Sequence, residues 1–89
     1  MAIARLNGEV IAESSNTVIL EGQHYFPARS VRAEFFRPTS TRDDLHYYSV
    51  TVHGRRTQDC ATVYVTGATI PDPRIGGHMR FCGPVQIED

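Results

Sequence analysis

An Asn-Gly pair near the start of the chain, Asn7-Gly8, is the feature that most constrains the fold. The pair supplies the two positive-φ residues that a type I′ turn requires, and this turn matches the twist of paired antiparallel strands. Apolar residues recur with a period of two on both sides of the pair, at Ala4 and Leu6 and at Val10 and Ala12, so we predict strands at Ala2–Leu6 and Glu9–Ser14. Short strand patterns separated by turn residues continue to the end of the chain, which predicts a mainly β domain.

The remaining patterns predict one small antiparallel domain over residues 1–89. Further strands are expected at residues 17–21, 23–27, 35–38, 46–53 and 59–66, with a closing hairpin of residues 79–81 and 85–87. The first three strands should form a meander, and the polar residues 39–44 should form a loop. Pro27 and Pro73 are each suited to begin a short helical turn. The expected fold is therefore a closed antiparallel sandwich with one or two such turns.

The clearest strand pattern, residues 46–53, predicts which side chains face the core. Successive side chains on a strand point to opposite faces. The apolar face should carry Tyr48, Val50 and Val52. The opposite face should carry Tyr47, Ser49, Thr51 and His53. A tyrosine on a polar face is available to a ligand, whereas a tyrosine on the apolar face belongs to the core.

Composition and charge exclude several classes of partner. The formal net charge is −1 and the pI is near 6.4, so we expect neither nucleic-acid nor anionic-membrane binding. We also expect no signal peptide and no membrane span, since no apolar stretch approaches about 18 residues. Cys60 and Cys82 form no Cys-x-x-Cys motif. These features favour a reducing cytoplasm with both thiols free, and a disulfide between neighbouring strands is the alternative.

No motif in the chain is specific for catalysis, for a cofactor or for a metal. The histidines and cysteines lack the ligand spacing of a zinc site. Asp43-Asp44 and Gly76-Gly77 lack the sequence context that a phosphate or nucleotide site requires. We therefore expect no catalytic residue, no metal and no cofactor, and we leave open whether the protein is an enzyme.

Tyrosines and their polar neighbours offer the best candidate ligand site. An exposed Tyr47 beside His46 and Arg42 could present a ring, an imidazole and a guanidinium to one small molecule. The full set of candidate ligand-binding residues is Tyr25, Arg42, His46, Tyr47, Asp59 and Tyr64.

Several segments carry a family resemblance that runs over essentially the whole chain: Asn7-Gly8, Ile11-Ala12-Glu13-Ser14, Glu21-Gly22, His24-Tyr25-Phe26-Pro27, Tyr47-Tyr48-Ser49-Val50, Asp59, Ala61 and Val85. Together they resemble the small bacterial domain-of-unknown-function family 427. The resemblance implies a β-tent of the Mss4-like kind, and proteins of this family sometimes carry a nucleotidyltransferase label. This chain lacks the Cys-Pro-Trp-Lys-Gly-like segment that the family usually places before the double-tyrosine strand.

The function expected from these observations is non-catalytic binding. We expect a small cytoplasmic domain that binds a small ligand or a protein partner, neither of them identified, through a tyrosine-bearing sheet face. One alternative is a nucleotidyltransferase-like enzyme, as the resemblance implies. The other is a structural module that self-associates through a sheet edge or exposed aromatic side chains, so the protein would be a monomer or a homodimer.

Overall fold

The computed structural model describes residues 1–64 and 70–89, and within them nine strands form two antiparallel sheets. The strands are β1 (Ala2–Leu6), β2 (Glu9–Ser14), β3 (Val18–Leu20), β4 (Gln23–Pro27), β5 (Phe36–Arg42), β6 (Leu45–Val52), β7 (Arg55–Tyr64), β8 (His78–Phe81) and β9 (Gln86–Glu88). Short 3₁₀ turns occupy Ala28–Ser30, Ala33–Phe35 and Pro73–Ile75. The predicted mainly β fold with short helical turns is confirmed.

The Asn-Gly turn builds the first hairpin as predicted. Asn7 and Gly8 have φ angles of 52° and 81°, which are the positive values that the tight turn requires. The turn joins β1 to β2, and β1 lies between β2 and β9 in a three-stranded sheet. No helix in the described part of the chain has the length and apolar character needed to cross a bilayer.

The other strands form a six-stranded sheet in the order β3-β4-β8-β7-β6-β5. The predicted meander is therefore wrong, because β3 pairs with β4 rather than with β2. At the junction the Ser14 hydroxyl accepts a hydrogen bond from the Asn16 backbone N–H at 2.9 Å, which turns the chain out of the first sheet. The predicted closing hairpin is also wrong, because β8 pairs with β4 and β7 whereas β9 pairs with β1.

Strand β5 replaces the loop predicted at residues 39–44. It runs to Arg42, so the connection to β6 is only the Asp43-Asp44 turn, with Asp43 at a φ of 54°. The strand is polar because it lies at the edge of the sheet and exposes most of its side chains. Thr39 is an extra residue opposite β6, which makes a β-bulge. The polar composition of residues 39–44 therefore reflects the exposure of an edge strand, and it did not indicate a loop.

A second bulge lies between β6 and β7. Tyr48 pairs with Ala61 and Val50 pairs with Thr57. Residues 58–60 of β7 therefore lie opposite the single residue Ser49 of β6. Ser49 lies directly opposite the exposed Arg37, which is consistent with the polar face predicted for it, but Ser49 itself is only 1% exposed and its hydroxyl lies 3.5 Å from the Arg37 carbonyl oxygen. The extra residues lie on β7, and the alternation of β6 is kept, since Val50 and Val52 are buried and Thr51 between them is exposed. Strand β7 also begins earlier than predicted, and the last two predicted residues, 65 and 66, lie outside the described residues.

The core lies between the inner face of the six-stranded sheet and the β1–β2 hairpin. It contains Ala2, Ala4, Leu6, Ile11, Ala12, Phe26, Phe36, Val50, Val52, Cys60, Ala61, Met79, Phe81 and Val85. Within it the Phe81 ring contacts two other aromatic rings, with centroids 5.4 Å from Phe26 and 6.0 Å from Phe36. Such pairs stabilise beyond area burial by about 0.5–1.5 kcal/mol each.

Cys60 and Cys82 form a disulfide, so the expectation that both thiols are free is wrong. The pairing of Ala61 with Phe81 brings the two cysteines opposite each other at the next position. Their Cα atoms are 4.9 Å apart, a separation that a disulfide spans without backbone movement. The backbone N–H of Cys82 also donates to the Cys60 carbonyl at 2.9 Å, which extends the β7–β8 ladder by one residue.

Candidate functional site

The strand register sorts the candidate site residues onto the two faces of the large sheet. Residues directly opposite each other on antiparallel strands point to the same face. One cross-strand row runs through Ser40, Tyr47, Thr62 and Arg80, and it lies on the outer face. The neighbouring row runs through Thr41, His46, Val63 and Met79, and the buried Met79 places it on the inner face.

An open recess on the outer face brings together Arg42, Tyr47 and Tyr64, three of the residues predicted from the sequence. Its volume is about 280 Å³, and its remaining walls come from Asp43, Asp44 and Leu45. We call it the outer recess. It forms where the short β5–β6 turn leaves the tyrosines of β6 and β7 side by side. The recess therefore combines aromatic rings with charges of both signs.

A cation–π contact organises one wall of the outer recess. The Arg42 guanidinium carbon lies 5.4 Å from the centroid of the Tyr47 ring, within the distance at which a cation is attracted to the ring face. Arg42 is exposed, so this contact contributes about 0.5–1 kcal/mol, the usual magnitude at exposed sites. Its main consequence is geometric, because it places a planar hydrogen-bond donor beside an aromatic ring.

The structure does not place His46 or Tyr25 in the outer recess. His46 precedes Tyr47 on β6 and therefore points to the inner face. Tyr25 is only 8% exposed and lies outside the main core cluster. It belongs to β4, and two strands, β8 and β7, separate β4 from β6. Tyr25 and Phe26 are adjacent on β4, so alternation predicted that Tyr25 would be exposed where Phe26 is buried. Both are buried, because exposure also depends on which other segments cover each face of the strand.

Asp59 occupies the β7 bulge rather than the outer recess. Its φ is 52°, in the left-handed region that Asp tolerates better than most residues. The Thr39 hydroxyl lies 2.7 Å from Asp59 Oδ1 and 3.1 Å from the Tyr47 carbonyl oxygen, so it can donate to either acceptor. Asp59 thus connects the bulges of β5 and β7 across β6. It also lines a small cleft of about 120 Å³ beside the disulfide.

Replacing Asp59 by alanine should lower the free energy of unfolding by about 1 kcal/mol, through loss of one hydrogen bond and added backbone strain. Asp59→Asn should cost less, because asparagine keeps an acceptor oxygen and tolerates a positive φ. Urea unfolding of both variants measures the difference. Midpoints that both match the wild type would show that Asp59 does not support the bulge.

The inner face carries an apolar cavity that the sequence did not indicate. Its volume is about 320 Å³, and we call it the inner cavity. The sheet contributes Phe36, Tyr48, Val63 and Met79, while the segment that follows β4 contributes Ala28, Val31 and Ala33, and Gly77 completes the lining. The predicted core assignment of Tyr48 was its only sequence signal. The walls of the inner cavity come from segments that are distant in the sequence, and strand periodicity does not show that these segments meet.

Electrostatic perturbation occurs away from both cavities. Hydrogen bonds from the Arg74 side chain hold the pKa of Asp72 below its usual value, and the same pairing raises the pKa of Arg74. The shortest of these contacts joins Arg74 Nη2 to Asp72 Oδ2 at 2.8 Å. Asp72 also accepts a hydrogen bond from the Arg74 backbone N–H, so the pair caps the 3₁₀ turn at Pro73–Ile75. Its role is structural.

Potential metal ligands are dispersed. Within residues 1–64 and 70–89, no group of three or more His, Cys, Asp or Glu side chains is arranged to hold a metal ion.

A sequence model of one protein family matches residues 2–88. That family is described as a domain of unknown function, DUF427, and carries the label NTP_transf_9. The match covers nearly the whole chain and confirms the resemblance found in the sequence. A comparison with curated proteins returned no match. The family description specifies no substrate, so functional inference depends on the geometry of the two cavities.

Proposed function

The chain belongs to the DUF427 family, and from that premise we propose that it is a non-catalytic binding domain whose outer recess takes a small organic ligand. The ligand carries a planar ring and hydrogen-bonding groups. The observation behind this proposal is the contact of Arg42 with Tyr47 beside Tyr64. The transferase word in the family label is only a name, since no residue role accompanies it.

The chemistry of the outer recess supports a ring-bearing ligand. Tyr47 and Tyr64 offer aromatic surface on which a ring can stack, with a gain of about 0.5–1.5 kcal/mol for each aromatic contact. Arg42 adds a planar group with five N–H donors, which suits a carboxylate, a phosphate or a ring carbonyl. The volume of about 280 Å³ is close to the smallest pockets that bind drug-sized molecules, so the ligand is small.

The position of the recess on the sheet supports preorganised binding. Tyr47 lies on β6 and Tyr64 on β7, two adjacent interior strands. A binding side chain on such a strand loses little freedom when a ligand arrives, and this reduces the cost of association.

A thermal-shift screen should identify the ligand, using aromatic carboxylates, aromatic amines and nucleotides with Mg²⁺. A ligand at about 100 times its dissociation constant stabilises by about 2.7 kcal/mol, which is a visible shift for a domain of this size. Tyr47→Ala and Arg42→Ala should each reduce the shift, whereas Thr51→Ala, an exposed position further along β6, should not.

The same screen separates the competing functions. A stabilising ligand whose effect survives both Tyr47→Ala and Arg42→Ala would contradict the outer recess as its site. Conversion of any nucleotide to a product during incubation would establish the enzyme alternative instead. A ligand that binds unchanged and depends on Tyr47 supports the proposal.

The proposal includes two further properties. The domain meets its small-molecule or protein partner in the cytoplasm, and it is a monomer or a homodimer. Free thiols would favour a reducing cytoplasm, but Cys60 and Cys82 are paired, so the cysteines do not support this location. Cell fractionation with rapid thiol alkylation tests the location and the state of the bond together. Light scattering after size exclusion tests the assembly, and a strictly monomeric species would exclude the self-associating module.

A further inference from the structure

We propose that the inner cavity is a second binding site, independent of the outer recess, which takes a small neutral aromatic molecule. The cavity lies on the opposite face of the same sheet. Val63 lines the inner cavity and the next residue, Tyr64, lines the outer recess, so adjacent residues of β7 serve different sites.

The chemistry of the lining favours a neutral occupant over a charged one. Among the described residues that line the inner cavity, none carries a charge and only Tyr48 has a polar side-chain group. An ionised group there would lose part of its hydration without gaining a compensating partner. The occupant is therefore neutral, with at most a small polar substituent that the Tyr48 hydroxyl can meet.

The residues on the sheet side favour a ring over a chain. Phe36 and Tyr48 provide aromatic rings, and Met79 provides a thioether sulfur. Aromatic pairs and sulfur–aromatic contacts each contribute beyond simple burial of apolar area, by about 0.3–1.5 kcal/mol. Phe36 and Met79 are themselves buried members of the core, so these walls are in place before a ligand arrives.

Size limits the occupant to about one bicyclic ring system. An apolar protein cavity of about 150 Å³ accommodates benzene. The inner cavity, at about 320 Å³, has roughly twice that volume. The opposite wall comes from Val31 and from the small, exposed side chains of Ala28 and Ala33, so a flat molecule can enter between the sheet and the 3₁₀ turns.

Indole is the probe that tests this site, because it is neutral, bicyclic and aromatic. Titration into isotope-labelled protein should shift the methyl resonances of Val63, Met79 and Ala33. Indole-3-carboxylate has the same ring with a charge and should bind at least about tenfold more weakly, a difference of about 1.4 kcal/mol. Equal affinity for the two probes, or shifts confined to the outer recess, would overturn the proposal.

Ala33→Trp is the decisive variant, with Glu34→Trp as its matched control. Both positions are exposed and belong to the same 3₁₀ turn, but only Ala33 lines the cavity. Ala33→Trp should weaken indole binding at least about tenfold, or about 1.4 kcal/mol, by filling the cavity. Glu34→Trp should leave the affinity unchanged. Equal indole affinity in the two variants would sink the proposal.

Tyr47→Ala separates this proposal from the proposed function. The outer recess loses an aromatic wall in this variant, while the inner cavity keeps all its lining residues. Indole affinity should therefore stay at the wild-type value. Loss of indole binding in Tyr47→Ala would show that indole occupies the outer recess, which contradicts the inner site and leaves the proposed function standing.

Discussion

Val50→Asp is expected to abolish folding, whereas Thr51→Asp at the next position should leave the stability nearly unchanged. Val50 is 0% exposed and belongs to the core, so an aspartate there would be buried without a partner. The cost of several kcal/mol is comparable to the whole stability of a small domain, which is about 5–15 kcal/mol. Thr51 is exposed and lies directly opposite Arg56, so an aspartate there gains a cation across the strands.

Far-ultraviolet dichroism and urea unfolding measure both variants against the wild type. Val50→Asp should show no cooperative transition at any urea concentration. Val50→Ala serves as the control for lost volume, and it should fold with a reduced midpoint, since truncating a buried aliphatic side chain costs only a few kcal/mol. Equal midpoints for Val50→Asp and Thr51→Asp would mean that the inner and outer faces of β6 are assigned the wrong way round.

Local sequence signals predicted the elements whose formation depends on a few neighbouring residues. The Asn7-Gly8 turn requires two positive φ angles, and Asn and Gly are the residue types that adopt them readily, so the sequence indicates the turn directly. Strand β4 ends at Pro27, which flanks the 3₁₀ turn of Ala28–Ser30, whereas Pro73 begins its own turn as predicted. The inward position of Val50 follows from periodicity within a single strand.

Pairings between distant segments were not predictable in the same way. The sequence does not show that β9 returns to β1, or that β8 inserts between β4 and β7. The disulfide follows from the second of these arrangements, because only the β7–β8 pairing places Cys60 opposite Cys82. Such long-range pairings depend on the balance of all strand contacts rather than on any short motif.

The two candidate sites illustrate the same distinction. The sequence placed Arg42, Tyr47 and Tyr64 in one candidate set, but the same set included His46, which alternation puts on the face opposite to Tyr47. The bulges are different, since inserted residues such as Thr39 and Asp59 change the register without a sequence signal as clear as Asn-Gly. The inner cavity is harder still, because its walls come from the large sheet and from the segment after β4, whose meeting no local pattern shows.

Removal of the disulfide is expected to have the other large effect. The bond joins residues 22 positions apart, and closing a loop of that length stabilises the folded state by about 3 kcal/mol in the chain-entropy account. The variant Cys60→Ala/Cys82→Ala should therefore unfold at a midpoint roughly 12–24 °C below the wild type, given about 4–8 °C per kcal/mol for a domain of this size. Calorimetry measures this shift.

Reduction of the wild type provides the matched control, since it breaks the bond without changing the volume of either side chain. Cys60 is 0% exposed, so the alanine variant also removes packed sulfur and should be slightly less stable than the reduced wild type. The strand pairing at Ala61–Phe81 and Val63–Met79 does not require the bond, and the reduced protein should keep its fold and its inner cavity. A wild type whose midpoint is the same with and without reductant would show that the cross-link contributes nothing to stability. The β7–β8 ladder and the core around Phe81 would then carry the whole stability of this part of the sheet.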